Sequence, residues 1–133
     1  MVNIKPALLF TRLSIFIVMA VWTADKLLNP QHTQKVFEKF YYISEIPFTL
    51  IYLLGALQVL LVLAFLAGVK KRITYGAMGL MHAASTLSSF KQYFSPFEGA
   101  HLLFFAAWPM LAACILLYML RDQDTLLAFK RRE

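Results

Sequence analysis

The sequence predicts an all-α membrane protein, a four-transmembrane-helix bundle with both termini in the cytoplasm. The chain is 60% hydrophobic and only 15% charged, with a mean hydropathy of +0.64, so it has too little polar surface to enclose a water-soluble core. Four apolar stretches each approach the length of about 20 residues that crosses a bilayer as a helix. The basic residues cluster at the ends of these stretches, as the positive-inside rule describes.

The predicted spans lie at about 7–28, 47–68, 73–90 and 101–120, within a single domain of 133 residues. Helices are expected because lipid offers no partner for unpaired backbone groups. Pro47 suits the first turn of the second span, where its missing N–H costs nothing. Pro109 falls inside the fourth span and predicts a kink. In the first loop, apolar residues recur at helical spacing and predict a short amphipathic interfacial helix.

The distribution of basic residues predicts the orientation. Of the 13 Lys and Arg residues, nine fall on the side of the termini and the second loop. The other four, on the opposite side, are Lys26, Lys35, Lys39 and Lys91. Their charge is balanced by the four acidic residues Asp25, Glu38, Glu45 and Glu98. The net charge of +6 therefore lies on one side, which predicts that both termini face the cytoplasm of a bacterial inner (plasma) membrane.

Arg12 lies about two turns inside the first span. We expect its long side chain to snorkel back to the inner headgroups. A buried role is the alternative.

The third span carries a polar stripe. At 100° per residue, one side of this helix groups residues within about 60° of His82. They are Tyr75, Met78, Ser85, Thr86, Ser89 and Tyr93. The opposite arc is apolar, with Leu80, Ala84 and Leu87. Gly76, Gly79 and Ala83 form a second flank of small residues, which suits close helix packing.

His82 and Gln58 lie at the same depth, each ten residues from the inner boundary of its span. We therefore predict a hydrogen bond between them in the middle of the membrane. In one interpretation this bond only joins the second and third spans. In the other, His82 binds the polar head of a ligand in a cavity that opens outward.

A second group of polar and aromatic side chains is expected around the outer mouth of that cavity. The predicted ligand-binding residues are His82, Gln58, Ser85, Ser89, Trp22, Asp25, Lys26, Tyr93 and His101. The alternative for Asp25 and Lys26 is a salt-bridged helix end beside a Trp of the aromatic belt. His101, Phe105 and Trp108 share one side of the fourth span, and we expect that side to be its packing face.

Several classes of function are excluded or disfavoured. Cys114 is the single cysteine, so an intrachain disulfide and a dithiol exchange reaction are impossible. No nucleophile set, phosphate-binding loop or paired-carboxylate site is recognisable, and the histidines and methionines lack the spacing of a metal site. The basic residues do not form the stripe of a nucleic-acid-binding face. The sequence therefore favours a chain that is not an enzyme on its own.

Three segments resemble the DoxX-like family of small four-helix bacterial membrane proteins. They are residues 11–30, with W-x-x-D-K before an outer loop, residues 53–72, ending in G-x-x-x-R, and residues 99–120. The resemblance covers about residues 7–127. It departs from the family near Gln58, where relatives often carry an acidic residue.

The resemblance implies a place beside membrane redox systems. Relatives include a membrane subunit of a thiosulfate–quinone oxidoreductase, and a quinone is accordingly a candidate ligand. The first hypothesis is an accessory or anchoring subunit that binds a quinone-like or other amphipathic molecule and a redox protein partner. The second is a small transporter that works as a homo-oligomer, and the third is a purely structural membrane protein.

Overall fold

The computed structural model describes residues 2–129, and this part of the chain is helical with no β-strand. The predicted all-α class is therefore confirmed. The α-helices are α1 (Lys5–Leu28), α2 (Pro30–Tyr41), α3 (Phe48–Ala67), α4 (Lys71–Ser88), α5 (Phe90–Tyr93) and α6 (Ala107–Met119). Two 3₁₀-helices cover His101–Ala106 and Arg121–Gln123.

Three helical segments of residues 2–129 are long and apolar enough to cross a membrane. They are Lys5–Leu28, Phe48–Ala67 and His101–Met119. The fourth predicted span coincides with α4, which is 18 residues long and more polar than the others. The prediction of a membrane protein thus rests on three apolar helices in the structure.

The four long helices pack in the cyclic order α1, α3, α4, α6, with α6 also contacting α1. Glycines allow two of these contacts to be close. A Cβ added to Gly55 of α3 would lie 2.6 Å from a methyl carbon of Leu27 of α1. Gly76 and Gly79 of α4 face Tyr118 and Cys114 of α6. The predicted packing role of the small-residue flank of α4 is confirmed at these two glycines.

The polar stripe of α4 forms its inward face. Tyr75, Met78, His82 and Thr86 are all buried, whereas Leu80 and Leu87 of the opposite arc are 73% and 63% exposed. The direction of the stripe agrees with the sequence analysis, because an apolar environment favours polar side chains on the inside of a helix assembly.

The first loop contains the predicted short helix, α2. It packs against α1 and α3, and its Pro30 and Thr33 are buried. Gln34 Nε2 donates to the carbonyl of Ile46 at 2.9 Å, which ties α2 to the segment that leads into α3.

The predictions for the fourth span were wrong in two respects. The segment begins as a 3₁₀-helix and becomes α-helical at Ala107, so Pro109 lies in the first turn of α6, where its missing N–H leaves no bond unmade. The predicted packing face is also wrong: Trp108 is 44% exposed and Cys114 is 4% exposed. A 3₁₀-helix has three residues per turn, so a projection at 100° per residue from His101 loses its register.

Arg12 does not snorkel to the headgroups, and this prediction was wrong as well. Its side chain is 1% exposed and forms an ion pair with Asp124, which is 0% exposed, at 3.0 Å from Nη1 to Oδ2. Its Nη2 donates to the carbonyls of Leu126 and Leu127 at 2.6 and 3.1 Å. Tyr75 OH donates to Asp124 Oδ2 at 2.5 Å. Tyr75 OH in turn accepts from Arg12 Nη1 at 3.4 Å. The guanidinium stays inside because these four acceptors are supplied to it there.

The segment after α6 is held against the ends of the other helices, and we call residues 121–129 the C-terminal strap. Besides the bonds to Arg12, the Lys71 ammonium donates to the carbonyl of Asp124, and the Phe129 N–H donates to the carbonyl of Ala67 at 2.7 Å. Gly68 has a φ of +70°, and a Cβ there would lie 2.8 Å from the Cβ of Ala128. Glycine at position 68 therefore serves both the turn after α3 and the close approach of the strap.

We predict that Asp124→Ala lowers the free energy of unfolding by about 3–5 kcal/mol, because it leaves the Arg12 charge buried without a counter-ion. The exposed Asp122 provides the matched control, and Asp122→Ala should cost little. The double variant Arg12→Met with Asp124→Leu should recover much of the loss. Unfolding in mixed micelles measures all three, and equal stability of the two Asp→Ala variants would contradict a stabilising ion pair.

Candidate functional site

A partly open groove of about 600 Å³ lies between α1 and residues 103–113, which comprise the end of the first 3₁₀-helix and the first half of α6. Its volume is within the range of small-molecule sites. The lining is mostly apolar, and it includes Phe10, Ser14, Ile15, Val18, Trp22, His82, Leu103, Phe104, Ala106, Ala107, Pro109, Met110 and Ala113. Most of this lining comes from α1 and from residues 103–113, and His82 comes from α4.

The groove exists because α1 packs mainly on α3 and α6 mainly on α4, so that α1 and α6 are less closely packed on each other. Phe10, Ser14, Val18 and Trp22 recur every four residues and therefore line one side of α1. Alanines at 106, 107 and 113 face them and leave the space open. From Phe10 to Trp22 the groove extends about 18 Å along α1 at 1.5 Å per residue, enough for an extended hydrocarbon chain.

His82 is the polar group at one end of this groove. Its side chain is 1% exposed, and Nε2 lies 2.9 Å from the backbone carbonyl of Ala107. A carbonyl oxygen only accepts, so Nε2 carries the hydrogen, and in the neutral ring Nδ1 is then a bare acceptor. Nδ1 is buried and has no hydrogen-bond partner among the described residues.

The predicted hydrogen bond between His82 and Gln58 is not formed, since Nε2 bonds to Ala107 and Nδ1 has no partner. Gln58 lies on the buried face of α3 with Gly55 and Val62, and Gly55 of that face packs against α1. His82 faces α6 and α1 instead. An equal number of residues from a helix end carries no information about which neighbour a helix face meets.

Trp22 joins His82 at the end of the groove. The two rings stack with their centroids 6.1 Å apart and their planes at 29°. Trp22 is 42% exposed, so its indole is in contact both with the imidazole and with the surroundings. Of the nine residues predicted as ligand-binding, His82 and Trp22 are the two that line this groove.

The hydroxyl groups of Thr86, Ser89 and Tyr93, near the C-terminal end of α4, donate to backbone carbonyls. Ser89 Oγ donates to Ser85 O at 3.3 Å, and Thr86 Oγ1 donates to His82 O at 2.7 Å. Tyr93 OH donates to Thr86 O at 2.8 Å, and burial raises the pKa of its phenol, which keeps it a neutral donor. Such bonds satisfy these groups locally, and none of the three residues Ser85, Ser89 and Tyr93 lines the groove.

The remaining predicted residues lie apart from the groove. Asp25 Oδ2 is 2.5 Å from His32 Nδ1 and also accepts from Asn29, as expected for a helix end held by polar contacts. Lys26 packs its stem toward Gly55 of α3. His101 Nδ1 donates to the carbonyl of Ser95 at 2.8 Å. No group of three or more His, Cys, Asp or Glu residues within 2–129 is arranged to hold a metal ion.

Two parts of these sites were missed from the sequence. The first is Asp124, the partner of Arg12, which lies in a basic tail. A signal was present, because a buried arginine needs an anion and Asp122 and Asp124 are the acids expected at the same end of the helices as Arg12. The second is the set of alanines that line the groove. Their signal in the sequence was weaker: alanine pairs at 106–107 and 112–113 indicate a helix face with small side chains.

No protein-family model, curated protein or solved structure matches this chain. The function is therefore inferred from the residues and geometry of the chain itself.

We predict that His82→Leu folds and loses about 0.6–2 kcal/mol of stability, the range for an interhelical hydrogen bond in a membrane protein. The lost interaction is the one between Nε2 and Ala107 O. Ala84→Leu is the matched control, because it adds a leucine to the exposed side of α4 and should cost almost nothing. Thermal unfolding in detergent measures both, and a wild-type melting temperature for His82→Leu would show that this bond contributes no stability.

Proposed function

We propose that this chain is a DoxX-like protein of the bacterial inner membrane that holds an amphipathic, quinone-like ligand in the groove between α1 and α6. In this role it acts as an accessory or anchoring subunit of a membrane redox system rather than as an enzyme on its own. The observation that carries the proposal is a buried imidazole with an unpartnered nitrogen at the end of a long apolar groove.

The proposal includes four membrane spans, with α4 as the fourth. At 1.5 Å per residue its 18 residues extend about 27 Å, close to the hydrocarbon thickness of about 30 Å. Its low hydropathy comes from polar residues on the buried face, whereas its exposed face carries Leu80 and Leu87. A helix of this kind is shielded by its neighbours and does not need to be apolar all round.

An even number of spans agrees with the contacts at one end of the molecule. Asp124 of the C-terminal strap contacts Arg12 in the second turn of α1. The turn between α3 and α4 reaches the same end, because Gly68 meets Ala128. The first part of α1 and the C-terminal strap therefore lie near that basic turn, which supports an assignment of this end to the cytoplasm by the positive-inside rule.

The groove suits a ligand with one apolar tail. Its length matches an extended chain, its walls are aliphatic and aromatic, and its polar end offers an imidazole and an indole. Pockets of this kind bind through apolar burial and use few polar groups for orientation. A redox partner on the outer or inner surface follows from the resemblance to DoxX-like proteins, in which small membrane subunits accompany larger redox enzymes.

The two competing functions have less support. Transport through the protein was suggested by a pair formed by His82 and Gln58, and that pair is not formed. A purely structural protein has no need of a groove that ends at an unpartnered buried nitrogen, because a buried acceptor without a donor is unfavourable. A groove of about 600 Å³ beside an unpartnered buried nitrogen favours a bound ligand over both alternatives.

We predict that Val18→Trp abolishes ligand retention, because an indole at the middle of the groove occupies the space of the tail. Leu63→Trp is the matched control, since Leu63 of α3 is 53% exposed and does not line the groove. Native mass spectrometry of protein extracted from its own membrane in mild detergent measures the bound small molecule. Retention by Val18→Trp equal to that of Leu63→Trp would place the ligand elsewhere.

We predict that a periplasm-active reporter gives activity when it is inserted near Lys39 and none when it is fused to the C-terminus. The expected pattern follows from the nine basic residues on the side of the termini against four on the other side. A cytoplasm-active reporter at the same two sites is the control and should give the reverse pattern. Activity of the periplasmic reporter at the C-terminus would overturn four spans with both termini inside.

A further inference from the structure

The protonation pattern of His82 carries information about the head of the ligand. We propose that the groove selects a ligand whose ring-shaped head carries a hydroxyl group, and that this hydroxyl donates to His82 Nδ1. The inference rests on the proposed function, because it assigns the chemistry of the ligand in the same groove. It distinguishes a quinol or alkyl phenol from a quinone, whose head carries only carbonyl acceptors.

The hydrogen bond of Nε2 determines the tautomer of His82. His82 Nε2 donates to Ala107 O at 2.9 Å, and an imidazole that donates from Nε2 in its neutral form has a lone pair on Nδ1. The other two histidines have the opposite arrangement. His32 contacts Asp25 Oδ2 through Nδ1, and His101 contacts Ser95 O through Nδ1. Of the three histidines in the chain, His82 is thus the one that presents a bare Nδ1.

The lone pair on His82 Nδ1 has no donor among the described residues. Nδ1 is buried and unpartnered, and the neighbouring hydroxyl of Thr86 is already committed to the carbonyl of His82. A buried acceptor without a donor is unfavourable. A hydroxyl satisfies it directly, whereas a carbonyl oxygen brought to the same place would meet a second lone pair.

The aromatic surroundings of His82 also indicate the shape of the head of the ligand. The Trp22 ring stacks on the imidazole at 6.1 Å between centroids, which gives this end of the groove flat aromatic surfaces. Planar rings pack on such surfaces in offset or tilted geometry. Trp22 is 42% exposed and is therefore the side chain that can tilt to admit the head to Nδ1. The tail of the ligand then follows the aliphatic part of the groove toward Phe10.

The binding test uses two matched pairs of probes with purified protein in phosphatidylcholine nanodiscs. One pair is decylubiquinol and decylubiquinone under anaerobic conditions. The other, which is redox-inert, is 4-decylphenol and its methyl ether, 4-decylanisole. Quenching of Trp22 fluorescence in a Trp108→Phe background reports binding. The hydroxyl member of each pair should bind about tenfold more tightly, the factor that corresponds to about 1.4 kcal/mol.

The variant His82→Leu should remove this preference and leave both members of each pair with similar, weaker affinity. The outcomes separate the two proposals. Equal binding of both members, or tighter binding of the carbonyl or ether member, overturns the hydroxyl inference and leaves the ligand groove standing. No saturable binding of any of the four probes overturns the groove as a quinone-like site and the inference with it.

A spectroscopic test addresses the tautomer independently of affinity. With ¹⁵N-labelled histidine, the three residues give three pairs of ring resonances, and His82→Leu assigns one pair. We expect that pair to show a protonated Nε2 and an unprotonated Nδ1, and the Nδ1 resonance to move when 4-decylphenol is added. A protonated Nδ1 in the wild-type protein, or an Nδ1 chemical shift that does not change when 4-decylphenol binds, would refute the inference.

Discussion

The buried charge of Arg12 is the constraint on which one end of this helix assembly depends. A guanidinium keeps its proton under all biological conditions, so neutralisation by proton loss is not available to it. It must therefore be surrounded by acceptors, and these come from distant parts of the chain: the carboxylate of Asp124 and the carbonyls of Leu126 and Leu127. Satisfying this one side chain fixes the path of the C-terminal strap. It also places Tyr75 of α4 against the same carboxylate, so the first helix, the third long helix and the end of the described chain meet at one point.

Several buried hydroxyl groups satisfy their hydrogen bonds by a different route. Thr86, Ser89 and Thr23 donate to carbonyls of their own helices, so they need no partner from another helix. His82 is different because Nε2 donates to a carbonyl of another helix, whereas Nδ1, an acceptor in that tautomer, has no donor among the described residues. Locally satisfied polar groups add little to the chemistry of a site. The unpartnered nitrogen of His82 is the observation on which the proposed binding site rests.

Sequence reasoning succeeded where the signal was local or periodic. The helical class, the positions of the helices, the short helix in the first loop and the inward face of α4 all follow from hydropathy and from 100° periodicity. It failed where the answer depended on which helix is the neighbour. The partner of His82 is a backbone carbonyl of α6, and a carbonyl leaves no trace in the sequence. The fourth segment begins as a 3₁₀-helix, which changes which residues of α6 face the neighbouring helices. No residue pattern between His101 and Ala106 predicts this 3₁₀-helix.

The order of biosynthesis gives the strap a further consequence. Arg12 leaves the ribosome and enters the membrane with the first helix, long before Asp124 exists. During that interval the arginine has no counter-ion within the protein, and its favourable position is near the lipid phosphates. Once residues 124–127 are in place, Arg12 has a carboxylate and two carbonyls as its partners. We therefore expect Arg12 to change partners as the chain is completed, because a nascent chain that stops before Asp124 lacks the carboxylate and both carbonyls that surround it in the folded protein.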